Sequence, residues 1–156
     1  MKIPHHKALH ALLAGILAFM ATSASAQTPP TPVGYVKTVT GQAWVTTAGQ
    51  RLPAAPGTAI MIGSQLKTQA DATLGVTFKD NTLMSFGPDT ELTVDEYLYE
   101  PAQGLLKLGT NLVKGSLNYV SGVIAKLKPD AVAVKTPTGI IGVRGTQFVA
   151  RVEEVK

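Results

Sequence analysis

Six carboxylates in the middle of the chain are the first residues whose types could support chemistry: Asp80, Asp89, Glu91, Asp95, Glu96 and Glu100. Two carboxylates at a suitable separation can act as general acid and general base, and several together can bind Ca²⁺. Their spacing does not match a calcium-binding loop of the EF-hand type. We therefore interpret them as aspartates at turns and glutamates on exposed strand faces, and we expect no bound metal or cofactor.

The side chains that enzymes use most often are missing after the first 26 residues. The sequence has no cysteine, and its three histidines, His5, His6 and His10, all lie near the N-terminus. This removes the commonest general base, the thiol nucleophile and the usual zinc ligands, and no serine has a histidine to activate it. We therefore predict a protein that is not an enzyme and has no disulfide bond.

A glycine-rich run, residues 135–148, is the least random stretch of the chain. Gly139, Gly142 and Gly145 recur at every third position among β-branched residues, and Arg144 lies between the last two. A guanidinium group has five N–H donors, so it can hold several carbonyl oxygens or a carboxylate. We favour an arginine clamp that holds a tight strand–turn–strand; the alternative is an anchor for a ligand or partner.

Short strands are the elements that must position this run. Apolar and polar residues alternate around residues 39–46 and 74–79, and Asp80-Asn81 is a dipeptide suited to a hairpin turn. Residues 105–127 fit either a strand or a helix, but Gly115 and Gly122 favour strand, with a possible helical turn at 123–128. The residues alone leave sandwich, barrel and solenoid open.

The N-terminus has the pattern of a secretory signal peptide. Lys2 and Lys7 precede an apolar stretch at 8–20, and Ala24-Ser25-Ala26 is a typical cleavage site. We predict a signal peptide at 1–26, with cleavage after Ala26, and a Pro-rich leader at 27–32. The predicted location is therefore periplasmic or secreted, and no later apolar run is long enough to span a membrane. The remaining basic residues are scattered, so we expect no nucleic-acid partner.

The glycine-rich run also resembles the end of a known domain. Thr136-Pro137, then Gly142-Val143-Arg144-Gly145-Thr146 and an aromatic residue two positions later, are similar to the C-terminal motif of the FecR family, named for a regulator of ferric citrate uptake. Weaker similarities cover nearly the whole chain after the leader, at 33–41, 62–68, 78–82 and 108–122.

The resemblance implies a β-solenoid-like domain of the bacterial envelope. In the regulator itself the domain follows a cytoplasmic anti-sigma segment and a membrane helix, and it relays a signal from an outer-membrane transporter. We expect this chain to carry only the envelope module. The structural motif residues that the resemblance assigns are Thr136, Pro137, Gly142, Arg144, Gly145 and Thr146.

We therefore predict an all-β domain at 33–152, β-solenoid-like or a twisted β-sandwich of many short strands, followed by a tail at 153–156. Its predicted function is that of an exported, non-catalytic protein-interaction and signalling module that contacts another envelope protein. Strand addition at an open sheet edge is the expected physical route. The alternative is a structural or glycan-binding envelope module that uses Trp44 and the tyrosines as stacking platforms.

Overall fold

A computed structural model describes residues 30–153 of the chain, and within them the backbone forms twelve strands, one α-helix and two short 3-10 turns. The strands are β1 (Gly34–Thr40), β2 (Ala43–Thr47), β3 (Gln50–Pro53), β4 (Ala59–Ile60), β5 (Gln65–Thr68), β6 (Thr73–Phe78), β7 (Leu83–Phe86), β8 (Glu91–Glu100), β9 (Leu105–Val120), β10 (Val132–Thr136), β11 (Gly139–Gly142) and β12 (Gln147–Val152). The helix is α1 (Val123–Leu127), and the 3-10 turns cover Pro101–Gln103 and Pro129–Ala131. The predicted signal peptide, residues 27–29 of the leader and residues 154–156 of the tail lie outside the described residues.

The long strand β9 joins two halves of one curled sheet. Its first half pairs with β8 on one side and with β10 on the other, while its second half pairs with β7 and β12. The continuous path through the sheet is β3-β2-β5-β8-β9-β7-β6-β1-β4, and β11 extends from β10. Every pairing among the described strands is antiparallel except that between β9 and β10.

The two halves of β9 meet at Gly115. This residue has a φ of +91°, in the left-handed region that side chains with a Cβ avoid, and a Cβ built there would overlap Thr90. On either side of Gly115 the inward phase of the strand changes: Leu108 and Leu112 are buried before it, and Leu117 and Tyr119 after it. An irregular residue that reverses which side chains face the core lets one strand serve both halves.

The core is built from the inward side chains of these strands and of α1. Leu74, Val76 and Phe78 alternate along β6 and are at most 2% exposed, as the period-2 pattern predicts. Each fully buried Leu, Val or Phe side chain contributes roughly 1.5–3 kcal/mol of transfer free energy. Since the chain has no cysteine, this burial and the backbone ladder hold the domain together.

A buried carboxylate joins the β6–β7 turn to α1. Asp80 is fully buried, and its side-chain oxygens accept hydrogen bonds from the Thr82 hydroxyl at 2.7 Å and from the Ile124 N–H at 3.2 Å. The Tyr97 hydroxyl donates to the same carboxylate at 3.3 Å and accepts from the Asp80 N–H at 2.9 Å. Burial, reinforced by the Asp80 charge, raises the pKa of Tyr97 well above its usual value. Asp80 thus lies at a turn, as predicted, and binds the first turn of the helix.

The all-β prediction is confirmed, with one short helix where a helical turn was expected. The hairpin at Asp80-Asn81 is also present, and Asn81 has the positive φ, 64°, for which the dipeptide was singled out. Most of the ambiguous stretch is strand, since β9 runs from Leu105 to Val120. The sheet is a curled, largely antiparallel one, and the more specific expectation of a solenoid or a sandwich stays a prediction.

Candidate functional site

The first part of the glycine-rich run forms a tight β-hairpin. Strands β10 and β11 are joined by Pro137 and Thr138, and the flanking Thr136 and Gly139 are paired. Proline suits the first central position of a turn because its φ is already fixed there. The Thr136 hydroxyl donates to the Gly139 carbonyl oxygen at 3.0 Å, which closes the turn. Within residues 30–153, β11 pairs only with β10, so its other edge is left open by these strands.

The second part is a loop that is tied to the end of β9. Val143 is 2% exposed and anchors the loop in the core. Ser121 holds the other end: its N–H donates to the Thr146 carbonyl oxygen at 2.8 Å, and its hydroxyl donates to the Gly145 carbonyl oxygen at 2.6 Å. The carbonyl oxygens of Gly145 and Thr146 are therefore bound by a serine that was not among the predicted motif residues.

Arg144 lies outside this arrangement, so the predicted arginine clamp is wrong. Its side chain is 84% exposed, and the one ion pair it makes with a described residue, 3.6 Å to Asp130, involves a carboxylate that is 82% exposed. Neither Gly142 nor Gly145 has a positive φ, and a Cβ on Gly142 would meet nothing within 4 Å. A Cβ on Gly145 would lie 3.8 Å from the Gln147 carbonyl oxygen, an ordinary contact. The guanidinium is thus exposed to solvent and does not hold a buried acceptor.

The aromatic residue of the motif begins the last strand. Phe148 on β12 stacks on the buried Tyr119 of β9, with ring centroids 5.0 Å apart. Along β12 the inward residues are Phe148, Ala150 and Val152, while Gln147, Val149 and Arg151 face outward and are exposed. Among the described strands β12 pairs with β9 alone, so none of them covers its outer edge.

An open cleft of about 520 Å³ lies between β11 and β12. Its walls are β11, the connecting loop and β12, and they include every predicted motif residue except Pro137 and Thr146. Two large apolar side chains nearby are unusually exposed, Ile140 at 70% and Val149 at 71%. An exposed apolar patch beside unpaired backbone is the kind of surface that accepts another extended chain.

The sequence analysis did not identify Val149 and Ile140 as exposed apolar residues, although for Val149 the sequence contains a signal. Phe148, Ala150 and Val152 define the inward phase of β12, so Val149 is a β-branched residue in the outward phase. An apolar residue in the polar phase of a strand indicates that something covers it.

The stacking platforms of the glycan-binding alternative are largely occupied. The Arg51 guanidinium lies 4.1 Å from the centre of the Trp44 ring, in a cation–π arrangement. Tyr119 is fully buried, and the Tyr97 hydroxyl is engaged by Asp80. Tyr35 is 42% exposed and Tyr99 is half-buried, so these two rings remain accessible to a ligand.

The carboxylates do not converge on a common site. Three of them make ion pairs with lysines: Glu91 with Lys67 on β5, Glu96 with Lys107 on β9, and Asp95 with Lys135 on β10, beyond β9. Across residues 30–153 there is no group of three or more acidic, histidine or cysteine side chains that could hold a metal ion. In the same part of the chain, no helix has the length and apolar character needed to cross a membrane.

Comparison with known proteins gives one match. The model of a family described as FecR protein matches residues 64–156, a region that begins just before β5 and includes both cleft strands. No curated protein and no solved structure matches the chain.

Proposed function

The chain belongs to the FecR family, since the family model spans more than half of it, and from this premise we propose that it is an exported, non-catalytic protein-interaction and signalling module of the bacterial cell envelope. Its partner is another envelope protein. The contact is made by adding an extended segment of that partner to the open edge of β12, beside the cleft.

The observation that carries this proposal is where the family motif lies. Residues that served only to build a core would be buried, but the motif residues form a hairpin, a tethered loop and the wall of an open cleft. Ser121 and Val143 fix the loop, and the loop in turn places β11 and β12 on the two sides of the cleft. The motif thus supports a docking surface.

The other open edges suit strand addition less well. β4 has two residues and β11 has four, and β3 has four and ends in Pro53, which has no N–H to donate. Short edges and proline are the devices by which proteins protect a sheet from unwanted pairing. β12 has six residues and no proline, and it carries Val149 on its exposed face. Its outer edge is therefore the best template for an incoming strand.

Export and the lack of catalysis are parts of the same proposal. The pattern at residues 1–26 supports export, and FecR domains are commonly associated with the envelope. A signalling module needs affinity and specificity rather than reactive groups. The backbone of an edge strand provides the affinity, and the side chains beside it provide the specificity.

Site-specific photo-cross-linking in the native host tests the proposal. A photoreactive residue in place of Val149 should give a cross-linked adduct with an envelope protein, and the same substitution at Leu52, an exposed residue of β3, should not. Adducts at Leu52 but none at Val149 would overturn the edge assignment. Recovery of cross-linked glycan instead of protein would favour the alternative module.

A further inference from the structure

Resting on the proposed function, we propose that the segment that docks on β12 is acidic: an extended peptide with a carboxylate opposite Arg151 and a β-branched residue opposite Val149. The partner is thus defined by the pattern of its side chains rather than by its fold.

The spacing on the outward face of β12 sets this pattern. Gln147, Val149 and Arg151 are two residues apart, so they stand in a row on the same face. A strand added along β12 places its own alternate residues directly opposite this row. β-Branched pairs and pairs of opposite charge are the favourable cross-strand combinations for Val149 and Arg151. The side-chain N–H of Gln147 already donates to the side-chain oxygen of Asn118 at 2.9 Å, so Gln147 sets no requirement for the residue opposite it.

The charge of the cleft is one-sided. Arg144 and Arg151 are the charged residues among those that line it, and none of the lining residues is acidic. Among the described residues, no carboxylate lies within ion-pair distance of Arg151, and Arg144 has only the exposed Asp130 at 3.6 Å. A basic segment entering here would meet like charge, which is a means of rejecting wrong partners.

The length of the edge sets the size of the docked segment. Six residues of β12 can pair with a segment of similar length, and the exposed Arg144 lies in the loop that precedes the strand. A second carboxylate near one end of the docked segment would therefore face Arg144. The inward residues of the segment would lie beside Phe148, Ala150 and Val152, which favours small or β-branched side chains.

Titration of the isotope-labelled exported chain with capped heptapeptides tests this inference by nuclear magnetic resonance. The acidic probe is Thr-Glu-Val-Val-Thr-Thr-Val, and two further probes carry Gln or Lys in place of its Glu. We expect the largest shifts in β12, with binding that weakens roughly three- to tenfold from the Glu to the Lys probe. Arg151→Glu should reverse that order, whereas Lys37→Glu, the same charge change on the exposed face of β1, should preserve it.

Each outcome of the titration is decisive. Equal binding of the three probes at β12 would overturn the acidic preference and leave strand addition standing. Shifts confined to another region, or no binding of any probe, would overturn the inference. The proposed function would then be tested separately, by the cross-linking at Val149. If the Arg151→Glu variant bound the Glu, Gln and Lys probes in the same order of affinity as the wild type, Arg151 would not be the residue that recognises the charge of the peptide.

Discussion

The Ser121 hydroxyl donates a hydrogen bond of 2.6 Å to the carbonyl oxygen of Gly145. Ser121 follows directly on β9, and Gly145 belongs to the motif that the sequence resemblance assigns, so this bond fixes the motif loop to the strand that joins both halves of the sheet. With the N–H of Ser121 bound to Thr146, the loop has two attachments. The cleft and the open edge of β12 therefore have a defined position relative to the core.

Ser121→Ala should lower the free energy of unfolding by about 1 kcal/mol, because it leaves the Gly145 carbonyl without that donor. Arg144→Ala should change it by less than about 0.5 kcal/mol, since an exposed ion pair contributes little. Urea denaturation of the two variants and the wild type measures both effects. If Arg144→Ala were the more damaging change, the arginine would be the structural clamp after all.

Gly115→Ala should be strongly destabilising, by roughly 1–3 kcal/mol or more, because the new Cβ meets Thr90 and the backbone has a positive φ. Gly142→Ala is the matched control, since a Cβ there has open space and no unusual φ. Thermal and urea unfolding should separate the two variants clearly. Equal stability of both would mean that β9 does not bend at Gly115 as described.

Asp80→Asn should cost about 1–3 kcal/mol, because an amide cannot accept all the hydrogen bonds that the buried carboxylate accepts from Thr82, Ile124 and Tyr97. Asp89→Asn is its control: Asp89 is exposed with a φ of 49°, a conformation that asparagine tolerates. The midpoints of urea unfolding report the difference. A loss at Asp89 as large as that at Asp80 would contradict the role of the buried carboxylate.

Alkaline pH should destabilise the fold through Tyr97. Burial raises the pKa of Tyr97 in the folded state above the value near 10 of an unfolded chain. Its contribution to stability is therefore complete below about pH 10 and is lost as the pH rises further, since the unfolded state releases the proton first. Tyr97→Phe should be less stable at neutral pH yet lose less stability between about pH 10 and 12. Tyr35→Phe, which removes an exposed hydroxyl, controls for the substitution; a slope in Tyr97→Phe as steep as that of the wild type would contradict this account.

The exported protein should begin at Gln27. The sequence pattern places the cleavage after Ala26, so intact-mass measurement of protein from fractionated cells should give the mass of residues 27–156. The matched experiment uses Ala26→Arg, which should block cleavage. A full-length chain in the cytoplasmic fraction of the wild type would contradict export.

The sequence was most informative where the pattern of side chains is regular. The alternation in β6 and the Asp80-Asn81 turn predict the central hairpin because one face of it must be buried. β9 was ambiguous for a physical reason: its inward phase reverses at Gly115, so its apolar residues follow no single period. A local irregularity of this kind is invisible to a pattern that assumes a constant phase.

The sequence motif located the candidate site correctly, but the predicted role of Arg144 in it was wrong. An arginine between glycines suggested a buried clamp, but whether an acceptor lies nearby depends on the tertiary position of the loop, which Ser121 sets from another part of the chain. The exposed position of Val149 could be deduced only once the neighbours of β12 were known. Long-range contacts of this kind decide which edge of a sheet stays open.

Amide hydrogen exchange in β12 tests the central claim most directly. It is measured on the exported chain with and without the protein recovered by cross-linking at Val149. Pairing of an incoming strand with the open edge should slow exchange in the peptides that cover residues 147–152, while those that cover β3 exchange at an unchanged rate. Unchanged exchange in β12 together with slower exchange in β3 would contradict the claim that β12 is the docking edge.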